Sequence, residues 1–593
     1  MPTVEPQPLV VVGVPADQDG SSPPWLIPVL GLGHELAVRA LVLLWAVTGA
    51  WFWLWWLSPL RGGLNPGRVA ATAILGWLFV NAGYGLFFIC RMTKPNPAVA
   101  VPTLRVAMVV TKAPAEPWPV LQRTLVAMLS QDFPYGYDVW LADERPSEET
   151  LTWCSANGVA VSTRHGVPEY HRPEWPRRTK CKEGNLAYFY DTVGYDRYDV
   201  VAQLDSDHVP AATYLTEIVR PFADDRIGYV SAPSICDANL SAGWTVRGRL
   251  YKEAALHGPV QAGCNDGWAP VCIGSHYAVR TLALQEAGGL GPELAEDYST
   301  TLWLQSTGWD GVFAIDAEAH GDGPETLEAM LVQEMQWSRS LGLIFTRWAP
   351  RRFRTTPWRA RIRLGFALTH YFAQGIFFAV GVALPCLAVV LRVGWGSTSL
   401  VGFYSHLWPS SLMLLIVTSV LRRRGALRPR SAKLWSLDLL LFQIVRWPWT
   451  SWSFIHGMWL GIRARQPGFA VTPKGQQAEA GVDVRLLLPT LALGILPATV
   501  VLGVQDPGPA LGLQVVCAFQ AIVYLSAVLV LIYLDGAPAA VRDEPSAVLA
   551  GVGVTHGTAR RRRPELPVVA VGITAGVFLA LVGTAFFLTG LGT

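Results

Sequence analysis

Residues 201–210 read Val-Ala-Gln-Leu-Asp-Ser-Asp-His-Val-Pro, an apolar run that stops at two carboxylates, Asp205 and Asp207, one residue apart. An apolar run of this length bounded by turn-forming residues predicts a buried strand. In open α/β sheets ligands bind beyond the carboxyl ends of the strands. Two acids placed there can share a hard divalent cation, Mg²⁺ or Mn²⁺, together with the phosphates of a substrate. Asp-Ser-Asp also makes an ordinary solvated turn, so the neighbouring segments decide between the two readings.

Upstream, Arg105–Thr111 and Asp138–Ala142 are further β-type runs. The first leads into Lys112-Ala113-Pro114-Ala115-Glu116, and the second ends at Asp143-Glu144. Val159–Thr163, Val200–Leu204 and Ile227–Ala232 repeat the pattern, with helix-like stretches such as Trp118–Ser130 and Lys182–Asp191 between. Strands alternating with helices predict an α/β domain, here residues 100–345, on a mainly parallel sheet. Its polar strand ends fall on one edge, where a nucleotide can lie. Lys182-Glu183-Gly184-Asn185 brings a cation and an amide to that edge.

Outside this domain the texture is apolar. The 593-residue chain is 51% hydrophobic and only 15% charged, against about 25% charged in an ordinary soluble protein. That excludes disorder and a wholly soluble enzyme. Ala40–Leu57 and Val69–Cys90 are spans of bilayer length within residues 36–92. Residues 346–465 hold Leu364–Leu391 and Val401–Leu421 as spans, and Leu434–Ile462 as interface helices interrupted by Arg446 and Pro448. Leu486–Val504, Leu511–Leu534 and Val568–Leu591 predict further spans in residues 484–593. Residues 1–35 are expected to be a flexible segment without a basic signal-peptide start.

Basic clusters at Arg351–Arg363, Arg422–Lys433 and Arg560–Arg563 place the α/β domain on the cytoplasmic side of a multi-pass inner-membrane protein, with Arg61 and Arg68 discordant. Membrane lipids are therefore partners. A net charge of +3 gives no reason to expect nucleic acid. The eight cysteines show no CxxC pair, so neither a disulfide framework nor a zinc site is indicated.

Downstream of the domain's strands, Ala295-Glu296-Asp297 opens a helical stretch. An acid there either caps the helix or is presented as a general base to a hydroxyl. Gln333 and Trp337 are four residues apart and share one helix face. An amide and an indole on one face can hold a sugar by hydrogen bonding and stacking, or can anchor an interfacial helix.

In this order, Asp143, Asp205-Ser206-Asp207, Ala295-Glu296-Asp297 and Gln333–Trp337 resemble the D, DxD, TED and QxxRW series of processive family 2 glycosyltransferases, such as cellulose, hyaluronan and chitin synthases. Lys182–Leu186, His208-Val209-Pro210, Gly274-Ser275 and Pro324–Leu327 add to the likeness, as does Phe469–Gly475, which is similar to the FxVTxKG gating loop of cellulose synthases. The resemblance implies a GT-A-type α/β glycosyltransferase domain inserted in a multi-span α-helical membrane domain, with a gating loop at 466–480.

It also implies roles. Asp297 would be the catalytic base. Glu116, Asp143, Lys182, Asp205, Thr472 and Lys474 would bind a UDP-sugar donor, and Asp205 and Asp207 a divalent cation. Gln333 and Trp337 would hold the growing polysaccharide. Gln336 stands where the family has Arg, so the diphosphate contact passes to Gln336 itself or to Arg339. The DSDHVP and FAVTPKG segments look most like those of cellulose synthases, which implies UDP-glucose as donor and a β-glucan as product. Hyaluronan-, chitin- or mannuronan-type polymerisation and single-sugar transfer to a lipid are the alternatives. Accessory subunits are compatible with the resemblance.

Overall fold

The computed structural model describes residues 24–536, except 60–62, 64, 115, 173–181, 293–294, 395–398 and 466–482. The expected gating loop with Thr472 and Lys474, the span Val568–Leu591 and the basic run Arg560–Arg563 lie outside the described residues. So does most of the segment 1–35; within its described end Leu26–Pro28 pairs antiparallel with Thr93–Pro95.

Seven strands form the central sheet: β1 (Val106–Lys112), β2 (Tyr137–Asp143), β3 (Ala160–Ser162), β4 (Val200–Asp205), β5 (Ile227–Ser231), β6 (His276–Arg280) and β7 (Asp310–Phe313). Their order is β7-β5-β6-β4-β1-β2-β3. The five strands expected from the sequence are all present. The sheet is mainly parallel with one reversal, since β6 runs antiparallel to both β4 and β5. The domain is thus an α/β fold with a mixed sheet.

Every residue of β1 is buried, because helices cover both faces of the sheet. Its alternation divides the core. Val106, Met108 and Val110 join one apolar cluster, and Ala107 and Val109 join the other. A strand buried on both sides reads as a continuous apolar run, which is why this one was conspicuous in the sequence.

The helices used below are α1 (Leu32–Trp56), α2 (Pro66–Ile89), α3 (Lys182–Phe189), α4 (Trp244–Glu253), α5 (Glu296–Ser306), α6 (Leu327–Arg347), α7 (Trp358–Leu391), α8 (Leu400–Arg423), α9 (Leu437–Ile462), α10 (Leu488–Gly503) and α11 (Leu511–Gly536). Among the described residues, six helical stretches are long and apolar enough to cross a membrane: α1, α2, α7, α8, Val484–Gly503 and Gly508–Leu534. They match six of the expected spans, and the protein is a multi-pass membrane protein.

The discordant Arg68 has a local explanation. Its guanidinium is buried, donates to the Trp56 and Ser58 carbonyls at the end of α1, and lies over the Trp56 ring. It satisfies backbone acceptors that a helix end leaves open.

One expectation needs correction. The break expected within residues 434–462 is absent, because α9 runs unbroken through Arg446 and Pro448. Arg446, which looked like an interruption, is buried and pairs with Glu334 of α6 at 2.6 Å. The two helices cross closely. Ser338 donates to the Thr450 carbonyl at 2.6 Å. A side chain at Gly342 would overlap the Phe454 carbonyl, and one at Gly457 the Arg339 carbonyl.

Backbone cannot yield as a flexible side chain can, and overpacking of this kind destabilises by about 1–3 kcal/mol or more. Gly457→Val is therefore expected to lower the thermal unfolding midpoint of the detergent-solubilised protein by several degrees. An unchanged midpoint would show that the crossing tolerates a larger separation.

Candidate active site

Parallel pairing sets which strand ends meet. Lys112 of β1 is in register with Asp143 of β2, and Thr111 of β1 with Asp205 of β4. The three polar ends therefore share one edge. Asp143 is fully buried; its Oδ2 lies 3.3 Å from Lys112 Nζ, and its Oδ1 accepts the Arg145 N–H at 2.9 Å. Glu116 folds back in the loop after β1, where its Oε2 accepts the Ala113 N–H at 2.8 Å. Arg164 braces the edge from beneath. It donates to Asn185 Oδ1 at 2.6 Å and to Glu144 Oε2 at 3.0 Å, while Asn185 donates to the Lys112 carbonyl at 3.1 Å.

The reversed strand completes the site. Pairing of β6 with β4 brings residues 274–275 beside the end of β4, where the Asp205 N–H donates to the Ser275 carbonyl at 2.8 Å. Lys182, at the start of α3, occupies the space between. Its Nζ is 2.9 Å from Asp205 Oδ1 and 3.6 Å from Glu296 Oε1, and it donates to the Gly274 carbonyl. Burial opposes its charge, but Asp205 and Glu296 outweigh burial and hold the ammonium above its usual range.

Glu296 and Asp297 form the first turn of α5. Burial is the largest push on both. Lys182 pulls Glu296 back, but the Asp297 and Asp205 carboxylates add to the push, and Glu296 rises to about 8. Asp297 also rises, against the pull of the Tyr298 and Gly274 N–H groups; the Tyr298 bond is 2.7 Å. A Cβ at residue 274 would stand 3.0 Å from Asp297 Oδ2, so glycine there allows the carboxylate its close approach. The N-cap position of α5 is Ala295 and carries no side-chain cap, so Asp297 is not the capping residue; it accepts the N–H of its neighbour Tyr298 within the first turn.

Asp205, Asp207 and His208 place one potential ligand atom each within 4.8 Å of one another. Both ring nitrogens of His208 are engaged, Nδ1 with Asp207 Oδ1 at 3.1 Å and Nε2 with Ser234 Oγ at 3.2 Å. Burial disfavours its charged form, but Asp207 overrides burial and pushes it up to about 10. His208 thus orients Asp207. The carboxylate oxygens of Asp205 and Asp207 are the donors a hard cation prefers, and the residues present fit one.

Gln333 and Trp337 do share a face of α6, and one residue meets both. Arg249 of α4 donates to Gln333 Oε1 at 2.8 Å and lies 4.7 Å from the Trp337 ring centroid. A backbone-to-side-chain hydrogen bond ties this helix to the acid pair: the Ala295 N–H donates to Ser340 Oγ at 3.0 Å, one turn beyond Trp337. Arg339, adjacent to Ser340, is half-buried where α6 runs against α9. The structure therefore gathers Lys182, Asp205, Asp207, Glu296 and Asp297 at one edge, with Asp143 and Glu116 along it, and sets Gln333, Gln336 and Trp337 on the adjoining helix.

Arg164, Arg249 and Ser340 were not legible in the sequence. Arg249 and Glu253 are spaced for an ordinary surface pair along one helix, and nothing local ties them to Trp337.

Glu296 carries a pH signature. Its carboxyl binds a proton more tightly in the folded state, so stability is full below the usual carboxylate range and falls as pH rises towards about 8. In metal-free buffer, Glu296→Gln is expected to flatten that fall between pH 5 and pH 8.5. Identical pH dependence of the thermal midpoint in both proteins would refute the assignment.

Residues 200–460 match the family model described as glycosyl transferase family group 2. The cellulose synthase catalytic subunit [UDP-forming] of Xanthomonas axonopodis pv. citri (strain 306) is 28% identical over 241 residues, which are 39% of this chain and 30% of that protein. Its counterpart in Pseudomonas fluorescens (strain SBW25) is 25% identical over 365 residues, 57% of this chain and 46% of that protein. The matches thus span less than half the length of these relatives. Among solved structures, the mannosyltransferase PcManGT from Pyrobaculum calidifontis, in complex with GDP-Man and Mn²⁺, superposes with a TM-score of 0.43 at 15% identity, over 68% of this chain and 99% of that one. Residues 200–460 are accordingly similar to glycosyl transferase family group 2 domains, and the chain is similar in part to the catalytic subunits of bacterial cellulose synthases.

Proposed function

We propose that this protein is a processive, inverting glycosyltransferase that polymerises a UDP-sugar, UDP-glucose in the first instance, into a β-linked polysaccharide and passes it across the membrane. The observation that carries this reading is the placement of Asp297. It is half-buried within the field of the Lys182–Asp205 pair and is tied through Ala295 and Ser340 to the helix bearing Trp337. The related proteins named above are UDP-forming cellulose synthase subunits.

In this reading Asp143 and Glu116 contact the uridine, and Lys182 supports the diphosphate. Asp205 and Asp207 would hold Mg²⁺ or Mn²⁺, which when bound supplies positive charge to the diphosphate leaving group. Asp297 accepts the proton of the acceptor hydroxyl as that oxygen attacks; its raised proton affinity suits it to the task. Gln333 and Trp337 hold the acceptor, with Arg249 fixing one side of the indole. Gln336 or Arg339 meets the diphosphate. The domain faces the cytoplasm, where the donor is supplied, and accessory subunits belong to the same reading.

The test is the purified protein in lipid vesicles with Mg²⁺ or Mn²⁺, offered UDP-glucose, UDP-N-acetylglucosamine, UDP-glucuronate and GDP-mannuronate. Polymer from UDP-glucose is expected, digestible by a linkage-specific glucanase. Polymer from another donor alone would overturn the substrate, and a single sugar on lipid would overturn processivity. Asp297→Asn is expected to lower the rate by at least about a hundredfold with UDP binding unchanged; a rate within twofold of wild type would exclude Asp297 as the base.

A further inference from the structure

Two cysteines that stand 131 residues apart in the chain meet between membrane-spanning helices. The Cys517 thiol of α11 donates to Cys386 Sγ of α7 at 3.8 Å. Both are buried, and both belong to one apolar cluster with Ala388, Val389 and Ala510. The contact is held from two sides. Deeper along both helices, Gln520 Nε2 donates to the Gly381 carbonyl at 2.9 Å. Towards the helix ends, a Cβ at residue 394 would stand 3.3 Å from Pro509 Cβ, in the turn before α11. The meeting of the two thiols is therefore fixed by the packing of α7 against α11.

The other described cysteines stand apart. Cys154, Cys272 and Cys264 lie in three different apolar clusters. Cys236 lies against Ser234 and His208, and Cys90 ends α2. A solitary buried thiol packs as a small apolar side chain. Two in contact are one oxidation step from a covalent link.

The pair also lies on the side of the membrane away from the α/β domain. Arg363, in the first turns of α7, donates to Gln261 and Cys264 of that domain. From Arg363 to Cys386 an α-helix rises about 35 Å, more than the roughly 30 Å of a bilayer's hydrocarbon core. The solitary thiols are in the α/β domain or at the helix end beside it, and the two in contact are at the far face. Disulfides form and persist outside the cytoplasm and are rare within it.

We propose that Cys386 and Cys517 are a disulfide-forming pair that ties α7 to α11 near the outer face of the membrane. The inference rests on the reading that the α/β domain faces the cytoplasm. Closing the gap to a bond takes a movement of about 2 Å. The oxidant is the disulfide form of an extracytoplasmic dithiol carrier. One cysteine thiolate attacks that disulfide and forms a mixed disulfide; the thiolate of the other cysteine then displaces the carrier, which leaves as its dithiol. The pair gives up two electrons and two protons, and the carrier takes them up. Because both sulfurs are buried once α7 and α11 have packed, the exchange precedes that packing, and packing then shields the bond from reductants. The link closes a loop that contains α8, α9 and α10, and long loops gain most from closure.

The test uses bacterial cells that express the full chain. Their thiols are blocked with N-ethylmaleimide before lysis, and peptides of the purified protein are weighed with and without reduction. A peptide carrying Cys386 joined to one carrying Cys517 is expected, lighter by two hydrogen atoms than the separate pair and parted by reductant. Protease added to spheroplasts reports the side of the α/β domain. Both cysteines recovered alkylated, with the domain protected, would overturn the pair and leave the topology intact. A digested domain would overturn the topology reading, and this inference with it. Cys386→Ala and Cys517→Ala are each expected to lower the thermal midpoint of the detergent-solubilised protein by a few degrees, and the double variant to lower it no further. Losses that add in the double variant would reduce the contact to packing and overturn the link.

Discussion

The site depends on one buried ammonium. Lys182 is the only group within reach of both Asp205 and Glu296 among the ion pairs of the described residues, and it also bonds the Gly274 carbonyl. Three elements distant in sequence, the β4 end, the loop before β6 and the first turn of α5, are held by that one charge. Acids this close repel, and without a shared cation at least one of them takes up a proton. Even with Lys182 present, Glu296 titrates at about 8. The arrangement is short of positive charge by design of its composition, which is the condition under which a cation finds a favourable place.

The second constraint is the reversal of β6. Were that strand parallel to β4, the loop carrying Gly274 would lie at the opposite edge and Asp297 would lose its backbone donor. Antiparallel pairing, His276 against Leu204, delivers the loop to the end of β4. Glycine at 274 then lets Asp297 approach. The chemistry of the edge follows from strand direction as much as from the identities of the acids.

Much of this was legible in the sequence, and the remainder was not for identifiable reasons. The five strands announced themselves because both faces of the sheet are buried. Asp143 and Asp205 stood out because they end apolar runs, and Lys182 and Asp297 because they open helical stretches. The strands β6 and β7 did not: His276–Arg280 and Asp310–Phe313 are short and mix polar with apolar residues. Arg446 misled because a charge in an apolar run signals an interface when its partner is unknown, and Glu334 lies more than a hundred residues away. Arg249 and Ser340 act through contacts made only when α4, α6 and α5 are assembled, and no local pattern encodes such a meeting.

The basic clusters serve as markers of orientation, yet two of their members, Arg363 and Arg428, bind the α/β domain to the helices. Arg363, in the first turns of α7, donates to Gln261 Oε1 at 3.3 Å and to Cys264 Sγ at 3.1 Å. Arg428 pairs with Asp316 at 3.0 Å and with Glu318 at 2.7 Å. Lys94 reaches the same Asp316 at 2.8 Å, and Arg247 pairs with Asp438 at 2.9 Å. Two of these cations, Arg363 and Arg428, are buried, where loss of a partner is far more costly than at a surface. Turning the sheet edge relative to the helices would break these contacts together. The distance from Asp297 to the Trp337 face is therefore set by this docking rather than by either element alone.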